Sequence, residues 1–257
     1  MSQPEGLRSE RVEVDGRETV LYTAGDGEPL VFLHGGGVVE GFDCFLPLAA
    51  RFRFIAPQMP GFNGTQIEPA VRSIDALVEH NARLLDALGV PSFALVGHSL
   101  GGWVAASLAA AHPRRVRRLV VSAPFGLDVP EHPLANVPAM GADELYTSLT
   151  SDPAVFAGRL PDGPDPQFDA ARALEGRSMS AFVPGPFDPA LAPKLATLEM
   201  PVLIQWGDVD RIVPVGHLAA WRAALPDAGV EVYHGVGHLL YHEHRPAVDA
   251  ITAFAAG

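Results

Sequence analysis

The 257-residue chain is 48% hydrophobic and 19% charged, enough apolar side chain for a buried core and too much for a disordered segment. A formal net charge of −12, with basic residues grouped only at Arg114, Arg115, Arg117 and Arg118, argues against a nucleic-acid partner. One cysteine, Cys44, excludes an internal disulfide or a thiolate metal cluster, and the single lysine, Lys194, leaves Schiff-base chemistry one candidate residue.

Met1 to Glu10 carries Glu5, Arg8 and Glu10 and lacks the apolar stretch of a secretory leader. No apolar run reaches the roughly 18 residues of a membrane span, so the expectation is a cytoplasmic protein with no membrane partner. Val12, Val14, Val20 and Tyr22 alternate with polar residues around Asp15-Gly16, the short-range signal of a β-hairpin. Short apolar runs then recur at Pro29 to Leu33, Phe52 to Ala56, Phe93 to Val96, Val116 to Val121, Pro201 to Gln205 and Val230 to His234. They read as strands of a sheet covered on both faces. Between Phe52 to Ala56 and Phe93 to Val96, Ser73 to Leu88 places Ile74, Leu77, Val78, Leu84, Leu85 and Leu88 near one helical face, with Gly89 following as a stop. Strands alternating with helices predict a mainly parallel sheet flanked by helices.

Asp128 to Ala196 breaks the alternation. These 69 residues hold 11 of the 24 prolines, no convincing strand, and ten acidic residues against four basic ones. A structureless loop of that length is uncommon, so an inserted lid of short helices is expected over 128–196, with 1–127 and 197–257 forming the core domain. Leu145, Leu149, Val155, Phe156, Phe168, Met179 and Phe182 are its apolar anchors.

Gly97-His98-Ser99-Leu100-Gly101 fits G-x-S-x-G, follows an apolar strand and opens a helical pattern from Trp103 to Ala111. That context is what a nucleophile elbow requires, because the sharp strand-to-helix turn needs small neighbours and exposes the serine hydroxyl. Ser99 then needs a base and a carboxylate further along the chain. Asp210 and Asp208 lie after the strand ending at Gln205, and Asp128 is a third candidate; Asp210 is preferred, with Asp208 read as a turn residue. His238 follows Gly235, Val236 and Gly237 at the entry to a final helix, with His234, His242 and His244 nearby and the last two expected at the surface. His238 and His242 stand at a spacing that could suggest a metal pair, but no H-E-x-x-H is present and neither metal nor cofactor is expected. His34-Gly35-Gly36-Gly37 follows the first buried strand, where glycines let the backbone approach a substrate; the N–H groups of Gly36 and Leu100 are assigned as oxyanion donors.

These stretches, together with Ala56 to Gly61, Val116 to Pro124, Trp206 to Pro214 and Gly237 to Pro246, resemble the α/β-hydrolase superfamily over nearly the whole chain. The resemblance implies an eight-stranded sheet, a Ser99, Asp210 and His238 triad, and a lid over the pocket. It leads to the expectation of a serine hydrolase that cleaves a carboxylic ester or related acyl bond of a small molecule through an acyl-enzyme. A perhydrolase or cofactor-free haloperoxidase, a carbon–carbon bond hydrolase and a non-catalytic small-molecule receptor remain as alternatives on the same fold. Relatives that cleave carbon–carbon bonds usually carry Asn before the serine and Pro after the glycines, where this chain has His98 and Val38. Gln58 stands where relatives commonly carry Asp, which bears on a structural hydrogen bond. Dehalogenase and epoxide hydrolase relatives use an Asp nucleophile, which Ser99 argues against. The substrate and the oligomeric state are not legible in the sequence.

Overall fold

The computed structural model describes residues 6–183 and 185–257. Residues 1–5, part of the stretch read for a leader, lie outside it, as does Pro184. Strands β1 (Arg8–Val14) and β2 (Arg17–Ala24) form the expected antiparallel hairpin. Asp15 and Gly16 supply two successive positive φ values, 51° and 77°, as a two-residue turn demands.

The buried strands are β3 (Glu28–Leu33), β4 (Phe52–Pro57), β5 (Phe93–His98), β6 (Val116–Ser122), β7 (Val202–Gly207) and β8 (Gly229–Tyr233). One sheet of eight strands results, in the order β1-β2-β4-β3-β5-β6-β7-β8, parallel from β4 to β8 and antiparallel at the β1–β2 and β2–β4 pairings. Every residue of β5 and β7 is buried, so their continuous apolar runs reflect cover on both faces. Strand order reverses between β3 and β5. A crevice opens there at the carboxyl ends of the strands, where ligands of open α/β sheets bind.

Helix α1 (Ile74–Ala87) starts where the Ser73 hydroxyl accepts the Ala76 N–H at 3.1 Å. It ends where Gly89 turns at φ 65° and Val90 N–H returns to the Leu85 carbonyl at 2.8 Å. Helix α2 (Leu100–Ala111) packs backbone against backbone. A Cβ on Gly101 would lie 2.0 Å from the Leu33 carbonyl oxygen, and one on Gly97 2.2 Å from that of Gly101. Leu119, Val121, Ile204 and Trp206 are fully buried in the same core.

Between β6 and β7 the described chain contains no strand and three helices: α3 (Ala142–Leu149), α4 (Pro166–Phe182) and α5 (Leu191–Leu195). Short helices were expected, yet α4 runs 17 residues. Asp165 caps it by accepting the Gln167 and Phe168 N–H groups, and Pro166 occupies the first turn, where a missing N–H costs nothing. Phe156 packs with Val39 and Leu239, while Phe182, Leu191 and Leu195 join the main core. Helices α6 (Leu218–Ala224), α7 (Leu240–Glu243) and α8 (Arg245–Ala256) complete the chain. Gln58, where the resemblance put an acid, still bonds locally: it donates to the Ala56 carbonyl and accepts from Asn63. No helix among the described residues is long and apolar enough to cross a membrane.

Because Gly101 faces backbone rather than a movable side chain, Gly101→Ala should destabilise the fold by about 2 kcal/mol or more. Urea unfolding of both proteins measures this, and an unchanged midpoint would show that α2 can shift away from β3.

Candidate active site

Ser99 sits at the β5–α2 turn with φ 53° and ψ −118°. A non-glycine residue held there costs about 1–3 kcal/mol, so its surroundings must fix it. They do: Ser99 N–H donates to the Ser122 carbonyl at 2.9 Å, and the Ser99 carbonyl accepts the N–H groups of Gly102 and Trp103. Leu100, the first helical residue, has an N–H with no partner inside the helix. Across the crevice, a Cβ on Gly35 would lie 3.3 Å from the Ser99 Cβ, so the glycine loop rests on the elbow itself.

His34 holds that loop. Its Nδ1–H donates to the Gly35 carbonyl at 2.8 Å and its Nε2 accepts the Met59 N–H at 3.0 Å, which fixes one neutral tautomer. Complete burial pushes its pKa down to about 4. Gly36 lies against Met179 from α4, whose sulfur would stand 2.5 Å from a Cβ at that position.

The carboxylate and the histidine arrive from β7 and β8. His238 Nδ1–H donates to Asp210 Oδ2 at 2.7 Å, with both side chains buried. Asp210 Oδ1 accepts the backbone N–H groups of Ile212 and Val213 at 2.8 and 2.9 Å, leaving its carboxylate fully engaged. Asp208 instead caps the turn, accepting the Gly235 N–H and bonding His234, and these contacts draw its carboxyl below the usual range. Asp128 is exposed on the cavity rim. His238 and His242 do not converge on a metal: His242 turns away to the Gly41 carbonyl and Cys44 Sγ.

The expectation that His242 and His244 are surface residues is corrected. His242 packs beneath the glycine loop, where burial pushes its pKa down to about 4, and His244 is half-buried against the Tyr233 ring. His242 lies within α7 and His244 caps its end, and this single turn packs against the core instead of projecting into solvent.

Ser99, Gly36, Leu100 and His238 line one cavity of about 690 Å³, and no hydrogen bond joins Ser99 Oγ to His238. Such bonds are often long before substrate binds. The walls are apolar, with Leu145, Leu149, Met179, Val183 and Phe187 among them. Among the described residues two carboxyl groups, Glu40 and Asp128, reach the lining, and no Arg or Lys does.

Long-range partners give the site three residues that sequence reasoning did not find. Glu243 Oε2 accepts the N–H of Gly237, beside His238, and the N–H of Ser151, both at 3.0 Å. Arg211, beside Asp210, donates to the carbonyls of Thr147 and Thr150. The segment after α3 is thereby tied to both loops that carry the Asp210–His238 pair. Glu243 and Ser151 are 92 positions apart in the chain, so no local pattern could join them.

Two outcomes are expected. Glu243→Ala, which strips the buried Gly237 N–H and the exposed Ser151 N–H of their acceptor, should cost about 1 kcal/mol of stability and slow the labelling of Ser99 by a fluorophosphonate. Equal labelling rates would remove Glu243 from the support of His238. The second concerns acid. His34 and His242 titrate near 4 when folded against 6.5 unfolded, so their stabilising contribution is present above 6.5 and is lost as pH falls towards 4. Glu40 and Glu175, raised to about 7, act in the opposite sense, and the further lowered His98, His80 and His217 tip the balance. Urea unfolding should therefore give a lower stability at pH 4.5 than at pH 6.5; a higher one would mean that the histidines do not stay neutral.

Comparisons with known proteins fit this geometry. The profile of the alpha/beta hydrolase family matches residues 30–251. The chain is 29% identical over 259 residues to a 2-hydroxy-6-oxo-6-phenylhexa-2,4-dienoate hydrolase of Burkholderia cepacia, covering 90% of this chain and 88% of that one. Among solved structures, the hydrolase of the same name from Rhodococcus sp. strain RHA1 superimposes with a TM-score of 0.80 at 24% identity, over 95% of this chain and 96% of that one. A bacterial membrane phospholipase A superimposes with a TM-score of 0.76 at 26% identity, over 98% of this chain and 86% of that one.

Proposed function

The chain belongs to the alpha/beta hydrolase family, and from that premise we propose that it is a serine hydrolase acting on esters of uncharged, largely apolar acyl groups. In this reading Ser99 attacks the acyl carbonyl, and His238 takes the hydroxyl proton and returns it to the leaving alcohol. Asp210 holds the imidazole in the right tautomer and stabilises its charged form. The N–H groups of Gly36 and Leu100 receive the developing oxyanion, each worth about 3–4 kcal/mol in measured cases. Water then attacks the acyl-enzyme, and the carboxylic acid leaves. Residues 128–196 act as a lid over a core formed by 1–127 and 197–257.

The observation that carries the substrate class is the absence of any Arg or Lys from the cavity lining. A dienoate, as in the name of the Burkholderia relative, brings a carboxylate, and an anion buried in an apolar site without a counter-charge is strongly disfavoured. Two acidic groups on the wall add to that penalty. His98 and Val38, in place of the Asn and Pro of the carbon–carbon cleaving relatives, point the same way.

Carbon–carbon hydrolysis is retained as the second reading because the curated relative at 29% identity bears that name. Perhydrolysis would need the same residues with peroxide in place of water. A receptor would bind its ligand as tightly after Ser99→Ala.

A fluorophosphonate probe followed by mass spectrometry should find one adduct, on Ser99. A panel of p-nitrophenyl esters should be hydrolysed, with Ser99→Ala lowering kcat/KM about 10³-fold or more and Asp210→Asn about 10⁴-fold. Turnover of a ring-cleavage dienoate that exceeds that of every ester would overturn the ester reading, and an unlabelled Ser99 would overturn the nucleophile.

A further inference from the structure

Glu40 is a buried carboxyl that the proposed chemistry does not use. It lies four residues after Gly36, in the turn that closes when Gly41 N–H donates to the Val38 carbonyl at 3.2 Å. Only 9% of the residue is exposed, yet its side chain lines the cavity beside Ser99 and His238. It accepts no hydrogen bond from any other described residue. The two guanidinium groups whose fields reach it are engaged elsewhere: Arg159 with Asp43 at 2.6 Å, and Arg172 with Glu175 at 2.7 Å.

Behind Glu40 there is no relief. The small void on that side is walled mainly by rings, those of Phe42, Phe45, His98, Tyr241 and His242. Tyr241 directs its hydroxyl to Gln205, and His242 directs Nε2 to the Gly41 carbonyl, so neither offers the carboxyl a donor. Burial pushes the Glu40 carboxyl up to about 7, against the lowering by its own backbone N–H, its one donor, and by the fields of His238, Arg172 and Arg159. Leaving a buried polar group unpaired is expensive, and here the open side is the cavity.

We propose that Glu40 is a specificity-determining residue: its carboxyl forms a subsite, beside Ser99 and His238, for a hydroxyl or ammonium group carried by the substrate close to the scissile carbonyl. The proposal rests on the reading of this cavity as the substrate site and narrows the substrate class within it. The remainder of the acyl group meets the apolar walls. A hydroxyl serves the subsite in either protonation state of Glu40, as donor to the carboxylate or acceptor from the acid; an ammonium requires the carboxylate. A substrate carboxylate would face Glu40 directly, which fits the absence of cationic residues from the wall.

The test compares pairs of esters that share a leaving group and differ by one hydroxyl or amine on the acyl carbons nearest the carbonyl, at pH 8. The parent protein should prefer the substituted member in kcat/KM by at least tenfold, and Glu40→Met should abolish that preference. Binding of the same pairs to Ser99→Ala, measured by calorimetry, provides a readout independent of turnover. There the substituted ester should bind more tightly with Glu40 in place and equally with Glu40→Met. If esters are not turned over but this binding difference is present, the ester reading fails and the subsite stands. If Glu40→Met does not fold, Glu40→Gln keeps the volume and an acceptor while removing the charge. It should then lose the preference for the amine and keep part of that for the hydroxyl. Equal handling of both members by the parent, or an unchanged preference in the variants with only melting temperature lowered, would overturn the proposal and leave Glu40 a partner of the Arg159 and Arg172 field.

Discussion

The site depends first on how closely the backbone of α2 approaches the end of β3. With a Cβ-sized gap of only 2.0 Å to the Leu33 carbonyl, Gly101 lets the helix start directly over the sheet. Gly97 permits the same at the end of β5. Only then can Ser99 turn through φ 53° with its N–H on Ser122 and its carbonyl on the first turn of α2. The strain at one residue is maintained by packing around glycines on either side, a stiff arrangement that leaves the serine hydroxyl little choice of position. Because β3 runs parallel to β5, the same close approach brings Gly35 against Ser99, and the glycine loop and the nucleophile become one unit.

Much of this was legible because it is local. Strand-length apolar runs bounded by turns, the Ser73 cap with Gly89 as its stop, and G-x-S-x-G between a strand and a helix are each contained within a few neighbouring residues. The mainly parallel sheet followed from the alternation of strands and helices, and parallel strands deliver their loops to one edge, where Asp210 and His238 meet; the strand order itself came from the structure. What escaped was non-local or ambiguous. The role of Glu243 depends on Ser151, far away in the chain, and Glu40 is one acid among 30 until its burial is known. His242 looked like surface because it stands beside Glu243 and His244 in a histidine-rich stretch, yet α7 is one turn long and turns it towards the Gly41 carbonyl. The length of α4 was hidden by the prolines around it; Pro166 sits in the first turn, where it begins a helix instead of breaking one.

Electrostatics divide the site into a paired half and an unpaired half. Both oxygens of Asp210 accept hydrogen bonds: from His238 on one, from two backbone N–H groups on the other. These bonds fix the orientation of the Asp210 carboxylate towards His238 Nδ1. Glu40, which lines the same cavity as His238, is also buried and has only its own backbone N–H as a donor. Two acids of the same charge type flank one histidine with opposite environments. That is the pattern in which one carboxylate supports the catalyst while the other is left to be completed by what enters the cavity.

The segment between β6 and β7 is fastened unevenly, and the unevenness bears on access. Its α3 end is held by directional bonds: Leu239 N–H to the Leu149 carbonyl at 3.0 Å, Ser151 to Glu243, and Arg211 to two carbonyls. Moving that end would break hydrogen bonds that also hold His238 and Asp210 in place. Helix α4 is different. Among the described residues it makes its hydrogen bonds within itself and meets the core through packing, Met179 over Gly36 and Ser178 against Gly61. Apolar packing is non-directional and a thioether side chain is flexible, so α4 can shift at lower cost than the α3 end. Displacing Met179 would uncover Gly36 without disturbing the Asp210–His238 pair, so the adaptable wall of the cavity lies over the glycine loop and the rigid wall beside His238.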